Sequence, residues 1–311
     1  MEIKQNIPLK NLNTFKAGGN ADYFCEVKSV DELKKAIEYA KENKLSVFIL
    51  GGGSNILVSD SGFEGLVVKI ELKSILFEGE KLIAGAGEDW DKVVNEAVQK
   101  KLYGIENLSF IPGSVGAGVA GNIGAYGSEI KDVLEYVEVL DTDNLKTTVI
   151  KNKECEFDYR NSIFKKKKNY IVTKACFKLS QDRELNLSYK DVKKYFKDNK
   201  TPTLKEIRSA IGKIRKEKFP NLKEIGTAGS FFKNPIIEGE KIHLAKILDD
   251  IGVKGLKKGS VGLYENQSLV VINYGDASAK EIKNFSDKIA NKVFKKEKIK
   301  ITPEIIFVGK F

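Results

Sequence analysis

Ile111-Pro112-Gly113-Ser114-Val115-Gly116-Ala117-Gly118-Val119-Ala120-Gly121-Asn122-Ile123-Gly124-Ala125-Tyr126-Gly127 carries six glycines in the fifteen residues from Gly113 onward. Glycine has no Cβ to bury and loses the most backbone freedom on ordering, so no ordinary core element is expected here. Gly116-Ala-Gly118-Val-Ala-Gly121 formally matches the dinucleotide pattern GxGxxG. That pattern requires a buried strand before it and a helix after it, whereas here more glycines follow. No GxxxxGK[ST] occurs in the chain, which excludes a P-loop. What remains is an extended, glycine-lined surface along which a long phosphate-bearing cofactor can lie against backbone amides.

Working toward the N-terminus, a second island, Gly51-Gly52-Gly53-Ser54-Asn55, directly follows the apolar run Val47 to Leu50. It reads either as a structural turn or as a second place where backbone N–H groups approach a pyrophosphate without Cβ interference. Before it, Leu33, Ala36, Ile37 and Ala40 recur at helical spacing between Asp31 and Asn43. Between the islands, Trp90, Val93, Val94, Ala97 and Val98 share a helix face after the short strand Leu82 to Ala84. Strand-like runs at Leu66 to Ile70, Tyr136 to Leu140 and Tyr170 to Leu179 make the first 180 residues α+β.

Beyond them, the polar stretch from Gln181 to Lys205 reads as a linker, with helix-like DVKKYFKD at 191–198 and Thr201-Pro202-Thr203 as punctuation. A new helix then carries Leu204, Ile207, Ile211 and Ile214 on one face. Further helices are predicted near Lys241 to Ile251 and at Ala279 to Phe294, with strands at Leu269 to Asn273 and Glu304 to Val308. The run Lys165 to Lys168 is expected to be a solvated turn. At 311 residues the chain is long enough for two or three domains.

The formal charge of +10 points to an anionic partner, yet only four of the 53 basic residues are arginine: Arg160, Arg183, Arg208 and Arg215. Nucleic-acid readers rely on the arginine fork, so dispersed solvated lysines are the simpler reading. Cys25, Cys155 and Cys176 are far apart and form no CxxC pair, which argues for buried thiols and against a disulfide framework or a zinc site. The N-terminus lacks an apolar targeting region and no run approaches 18 apolar residues, so a cytoplasmic protein is expected. A single histidine, His243, excludes two-histidine metal sites and leaves acid–base work to Ser, Tyr, Lys, Asp or Glu.

Three further places look chemical. Arg160, in Asp158-Tyr159-Arg160-Asn161-Ser162, is either half of a structural ion pair or the grip for an anionic group. Ser230, in Gly226-Thr-Ala-Gly229-Ser230-Phe-Phe-Lys233-Asn234-Pro235, has no nearby histidine to make it a nucleophile, so a proton donor is the better reading. Glu304 follows Thr302-Pro303 and opens an apolar strand, where burial would keep it protonated; the alternative is an exposed strand-end acid.

GGGSN, IPGSVGAGVAGNIGAYG, YRNSIFK, GTAGSFFKNP and TPEIIFVG, in this order over about 260 residues, together resemble the UDP-N-acetylenolpyruvoylglucosamine reductase family. The resemblance implies an α+β fold: a two-subdomain FAD-binding region of the vanillyl-alcohol-oxidase type plus a C-terminal α+β substrate-binding domain. The parts are residues 1–70 joined by the C-terminal strand 303–311, then 71–202, then 203–302. It implies a cytoplasmic peptidoglycan-precursor enzyme with non-covalent FAD and NADPH as co-substrate, which reduces the enolpyruvyl ether of UDP-N-acetylglucosamine. A nucleotide sugar would be the partner, with no nucleic acid, membrane or metal.

Cofactor contacts would fall on Gly51, Gly52, Gly53, Ser54, Asn55, Pro112, Gly113, Ser114, Gly116, Asn122, Gly124 and Ala125. Hydride addition to the enolpyruvyl β-carbon leaves an α-carbanion delocalised into the carboxylate, a dianionic charge that preorganised donors must meet. Arg160 and a neutral Glu304 suit that charge, and the family's catalytic serine falls on Ser230 as proton donor. Substrate contacts carry over to Tyr126, Tyr189, Lys218, Asn234 and Lys241. Lys190 stands where a glycine is usual after the loop tyrosine, and Lys246 where a tryptophan is common. Another flavoenzyme of the same scaffold acting on an alcohol or sugar is the rival reading, followed by a basic nucleic-acid-binding module.

Overall fold

The computed structural model describes residues 1–182, 184–196 and 201–311. Arg183 and the end of the helix-like stretch 191–198, with the adjoining part of the linker, lie outside the described residues. From the N-terminus come β1 (Lys4–Pro8), β2 (Asn20–Val27), α1 (Val30–Glu42), β3 (Val47–Leu50), β4 (Ile56–Val58) and β5 (Phe63–Ile70). The central stretch holds β6 (Ile75–Glu78), β7 (Lys81–Gly85), α2 (Trp90–Gln99), α3 (Val115–Gly121), β8 (Gly124–Ala125), β9 (Ser128–Glu129) and β10 (Leu134–Asp141). It continues through β11 (Lys146–Lys151), α4 (Ile163–Lys166), β12 (Tyr170–Lys178) and α5 (Lys190–Tyr195). Next come α6 (Leu204–Lys218), β13 (Gly226–Ser230), β14 (Ile236–Ile237), β15 (Glu240–Lys241), α7 (Leu244–Asp250) and β16 (Lys257–Lys258). The chain ends through β17 (Val261–Tyr264), β18 (Gln267–Asn273), α8 (Ala279–Glu297) and β19 (Ile306–Val308).

Two compact units emerge. The first comprises Met1–Ile3, Cys25–Gly52 and Val67–Arg215; the second comprises Lys4–Phe24, Gly53–Leu66 and Lys216–Phe311. The boundary therefore runs through the first glycine island, between Gly52 and Gly53.

The first unit is built on an antiparallel sheet in the order β11-β10-β12-β7-β6. The edge-ward strand β10 buries Val137 and Val139 two residues apart, whereas central β12 buries both faces, with Ile171 to Thr173 and Ala175 to Phe177 all covered. α1 buries Leu33, Ala36, Ile37 and Ala40, and its Ser29 cap accepts the Glu32 N–H at 3.1 Å. α2 buries Trp90, whose indole N–H donates to Leu108 O at 2.9 Å while the ring meets Phe177 edge-on at 5.7 Å. A full hydrogen bond at the polar end is what lets so large a side chain be wholly buried.

The second unit carries an antiparallel sheet in the order β13-β18-β17-β16, with α7 and α8 supplying Leu244, Leu248, Ile282 and Phe285 to its core. Ser278 and Glu281 form a capping box at the start of α8, and Asp60 adds two more acceptors, taking the Ala279 and Lys280 N–H groups at 2.7 and 2.9 Å. β19 pairs in parallel with β4, Ile306 opposite Ile56 through Val308 opposite Val58.

Several local expectations are corrected. The second glycine island is not extended throughout: Val115 to Gly121 form the helix α3, with Val115, Gly118 and Val119 buried. Gly116 makes this possible, because a Cβ there would stand 2.8 Å from Ala86 Cβ. The helix expected from Lys241 starts only at Leu244; Lys241 lies in the hairpin β14–β15, and His243 is the N-cap. The last strand begins at Ile306 rather than Glu304, and Lys165 and Lys166 end the short helix α4.

Candidate functional site

In the first unit, the two glycine islands meet backbone to backbone. A Cβ on Gly52 would lie 2.6 Å from Gly113 Cα, and one on Gly51 would lie 2.5 Å from Ser114 Oγ and 2.9 Å from Ala117 Cβ. No side chain larger than hydrogen fits, so glycine at 51 and 52 is required by this approach. The edge is sewn to the start of α2: Trp90 N–H donates to Gly113 O at 3.0 Å, Val115 N–H to Glu88 O at 3.0 Å, and Gly116 N–H to Ala86 O at 2.9 Å. Ser114 Oγ is buried and takes up no hydrogen bond among the described residues. An edge of small residues with exposed-backbone character beside a buried hydroxyl that has no partner among the described residues suits backbone contacts to a diphosphate, so these residues fit FAD.

Asn122 behaves differently. It is fully buried, with φ +43 at the end of α3, and its Nδ2 donates to Glu129 Oε2 at 2.8 Å and to the carbonyl of Asp158 at 3.1 Å. Its Oδ1 accepts the Lys131 N–H at 3.2 Å, so the whole amide is engaged in shaping the loop. Gly124 and Ala125 form β8, paired with β9. Arg160, at φ +54 in the turn closed by Asp158 and Asn161, reaches this hairpin through Nη2, which donates to Gly124 O at 2.6 Å. Ser162 Oγ ties the same turn to Ala120 O at 2.8 Å.

Tyr126 closes the island at φ +50 and is 7% exposed. Asn107 donates to its carbonyl at 2.9 Å and to that of Asn186 at 2.8 Å, so one buried amide joins the island to the segment carrying Tyr189. The Tyr126 and Tyr189 rings meet edge-on at 5.3 Å. Burial raises the Tyr126 phenol above its ordinary value, and the nearby Arg215 guanidinium pulls the other way. Arg215 is itself lowered by burial.

In the second unit, Gly53 turns at φ +65 with its Cα facing Leu12 O, which a Cβ would meet at 2.0 Å. Its carbonyl accepts the Thr14 N–H at 3.0 Å. Asn55 braces the C-terminal segment: its carbonyl accepts the Ile306 N–H at 3.0 Å, and its Nδ2 donates to Glu304 O at 3.4 Å. Ser230 ends β13 just after a register shift, and the segment beyond it pairs with 302–304. Glu304 N–H donates to Phe231 O at 2.7 Å, and Lys233 N–H to Thr302 O at 2.9 Å. The Glu304 backbone is thereby tied to the residue next to Ser230, and both residues are half-buried.

Asn234 Oδ1 accepts the Leu244 N–H at 3.0 Å and so sets the start of α7. Lys218 closes α6, half-buried, and Lys241 is exposed on its hairpin. Sequence reading missed Asn55 as a brace, Asn107 and Asn186 as ties to the Tyr189 segment, and the partners of Arg208. None of these contacts leaves a periodic signal. Among the described residues no group of three His, Cys, Asp or Glu could hold a metal, and no helix is long and apolar enough to cross a membrane.

Comparison with known proteins bears on both units. Residues 21–146 match the family described as FAD binding domain, and residues 220–308 match the UDP-N-acetylenolpyruvoylglucosamine reductase C-terminal domain. The chain is 38% identical to the UDP-N-acetylenolpyruvoylglucosamine reductase of Flavobacterium johnsoniae, covering 98% of this chain and 99% of that one. It is 37% identical to the enzyme of the same description from Amoebophilus asiaticus, with 98% and 99% covered. The crystal structure of UDP-N-acetylenolpyruvylglucosamine reductase from Thermus caldophilus superposes with a TM-score of 0.77 at 26% identity, covering 99% of this chain and 100% of that one.

Proposed function

The chain belongs to the UDP-N-acetylenolpyruvoylglucosamine reductase family, and on that footing we propose how its own residues carry out the reaction. It is an FAD-containing oxidoreductase that reduces the enolpyruvyl ether of UDP-N-acetylglucosamine to UDP-N-acetylmuramate at the expense of NADPH, a step of peptidoglycan-precursor synthesis. Bound FAD supplies the hydride acceptor and donor through which NADPH reduces the sugar nucleotide. The family assignment decides against an alcohol or sugar oxidase on the same scaffold.

The observation that carries the residue assignments is the close backbone approach of Gly51-Gly52 to Gly113-Ser114, which admits no Cβ, together with the buried Ser114 hydroxyl beside it that has no partner among the described residues. Gly51 to Asn55, Pro112 to Ser114, Gly116, Asn122, Gly124 and Ala125 would hold the cofactor, largely through backbone. For Asn122 and Asn55 the role is to shape the loops, since their hydrogen bonds run to Glu129, Asp158 and Lys131, and to the Glu304 segment. Arg160 would grip the substrate carboxylate, where the charge of the addition step accumulates. Glu304 would complete the catalytic set beside it, and the Ser230 hydroxyl would deliver the proton to the α-carbon. The Glu304 N–H to Phe231 O bond supports a joint role for this pair by fixing the two backbones at adjoining positions.

Tyr126, Tyr189, Lys218, Asn234 and Lys241 would contact the nucleotide sugar. The division into residues 1–70 with 303–311, 71–202 and 203–302 is our assignment of cofactor and substrate duties. The lack of a nucleic-acid partner fits the four-arginine composition, and a cytoplasmic enzyme without a membrane partner accords with a place in peptidoglycan-precursor synthesis. The test is anaerobic: NADPH should bleach the bound flavin, and the enolpyruvyl sugar nucleotide added next should restore the colour. A flavin that bleaches but is not reoxidised by this substrate would overturn the substrate assignment.

A further inference from the structure

Phe110, immediately before Ile111-Pro112-Gly113, has a left-handed backbone, φ +61, which a bulky aromatic residue seldom adopts. Three groups hold it there. Its N–H donates to Asp91 Oδ1 in the first turn of α2. The same carboxylate pairs bidentately with Arg208 of α6, Nη1 to Oδ1 at 2.6 Å and Nη2 to Oδ2 at 2.8 Å. The Arg208 guanidinium in turn stacks on the Phe110 ring, 4.2 Å from its centroid. One helical turn further along the same face of α6, Gly212 makes room for that ring: a Cβ there would meet Phe110 Cε2 at 2.8 Å.

The two residues after Phe110 have little freedom to absorb a change. Ile111 precedes a proline and is confined to extended backbone, and Pro112 has its φ fixed by its ring. An orientation set at Phe110 is therefore passed to Gly113 and Ser114, the edge that lies against Gly51 and Gly52. We propose that Arg208, acting through Asp91 and the Phe110 ring, is a positioning residue for the glycine edge that meets the cofactor. It fixes the left-handed turn at Phe110 and so sets the backbone of Pro112 to Ser114. This rests on the reading of that edge as part of the FAD site.

The experiment is titration of the apoprotein with FAD at 15 °C, beside the thermal melt of each apoprotein and the visible spectrum of the bound flavin. Arg208→Met is expected to weaken FAD binding at least tenfold while the apoprotein stays folded at that temperature. Arg208→Lys should fall between the two, because an ammonium keeps the charge at Asp91 but neither forks nor stacks. Phe110→Gly accepts the left-handed turn without help. In that background the Arg208→Met loss should shrink to a few-fold, a coupling that a merely stabilising ion pair would not produce. Arg208→Met with wild-type FAD affinity and only a lowered melting temperature overturns the proposal. Should Arg208→Met not fold, Arg208→Lys decides by the same measure: threefold weaker binding or more supports it, and unchanged binding overturns it. Wild-type protein that binds no FAD would overturn the functional reading, and this inference with it.

Discussion

Gly52 and Gly79 show how differently two glycines act. At Gly52 the obstacle is packing: an added Cβ would sit 2.6 Å from Gly113 Cα and 2.9 Å from its carbonyl carbon, backbone atoms that cannot rotate away. At Gly79, in the β6–β7 hairpin, nothing lies within 4 Å, but φ is +60. Gly52→Ala is therefore expected to force the islands apart, costing about 1–3 kcal/mol of stability as overpacking does, and to weaken FAD binding tenfold or more. Gly79→Ala should cost about 1 kcal/mol of backbone strain and leave FAD affinity unchanged. Flavin titration with denaturant melts of both variants checks this; equal FAD affinities would remove the Gly52–Gly113 contact from the cofactor site.

Asp60 raises the same question for an element. α8 carries its own start signal, Ser278 and Glu281, which is legible in the sequence as Ser-x-x-Glu before an apolar face. Asp60, 219 residues away, takes two more of its first N–H groups, and nothing in the local sequence announces that. Asp60→Ala should lower the urea midpoint by an amount equivalent to about 1–2 kcal/mol, the worth of a lost helix cap. The flavin spectrum should not change. An unaltered midpoint would mean that the capping box alone satisfies the helix start. The same divide between local and distant signals runs through the site. The helix faces of α1, α2 and α6 and the strands β7, β10, β12 and β18 are legible from periodicity. α3 was hidden because the glycine content argued against a helix, and only the close fit of Gly116 on Ala86 explains it. Arg160, Ser230 and Glu304 stand out by residue type within their motifs. The Phe110 clamp and the Asn55 brace did not, since each is a pairing between segments far apart in the chain.

For the molecule as a whole, the three thiols set a limit on alkaline stability. Cys25, Cys155 and Cys176 are all buried and unbridged. Burial pushes the Cys25 thiol up to about 11 and Cys155 up to about 12, from an ordinary value of 9.0, and raises Cys176 as well. The folded chain thus keeps thiol protons that the unfolded chain gives up. Below pH 9 both states are protonated and the thiols make no difference to stability with pH. As pH climbs from 9 toward 11 and 12, the unfolded state binds fewer protons than the folded one, and stability falls. Cys25 and Cys155 each contribute on the order of 2–4 kcal/mol to that loss by the end of their windows, at about 1.4 kcal/mol per pH unit. A Cys25→Ala, Cys155→Ala protein should be somewhat less stable at neutral pH, by about 1 kcal/mol or more for the sulfur atoms removed from the core. Its decline between pH 8.5 and 10.5 should nevertheless be visibly shallower. The lysines titrate alike in both proteins, so the difference between the two curves isolates the thiols. Denaturant melts at half-unit pH intervals measure it, and parallel curves would show that the buried thiols ionise in the folded state as readily as in the unfolded one.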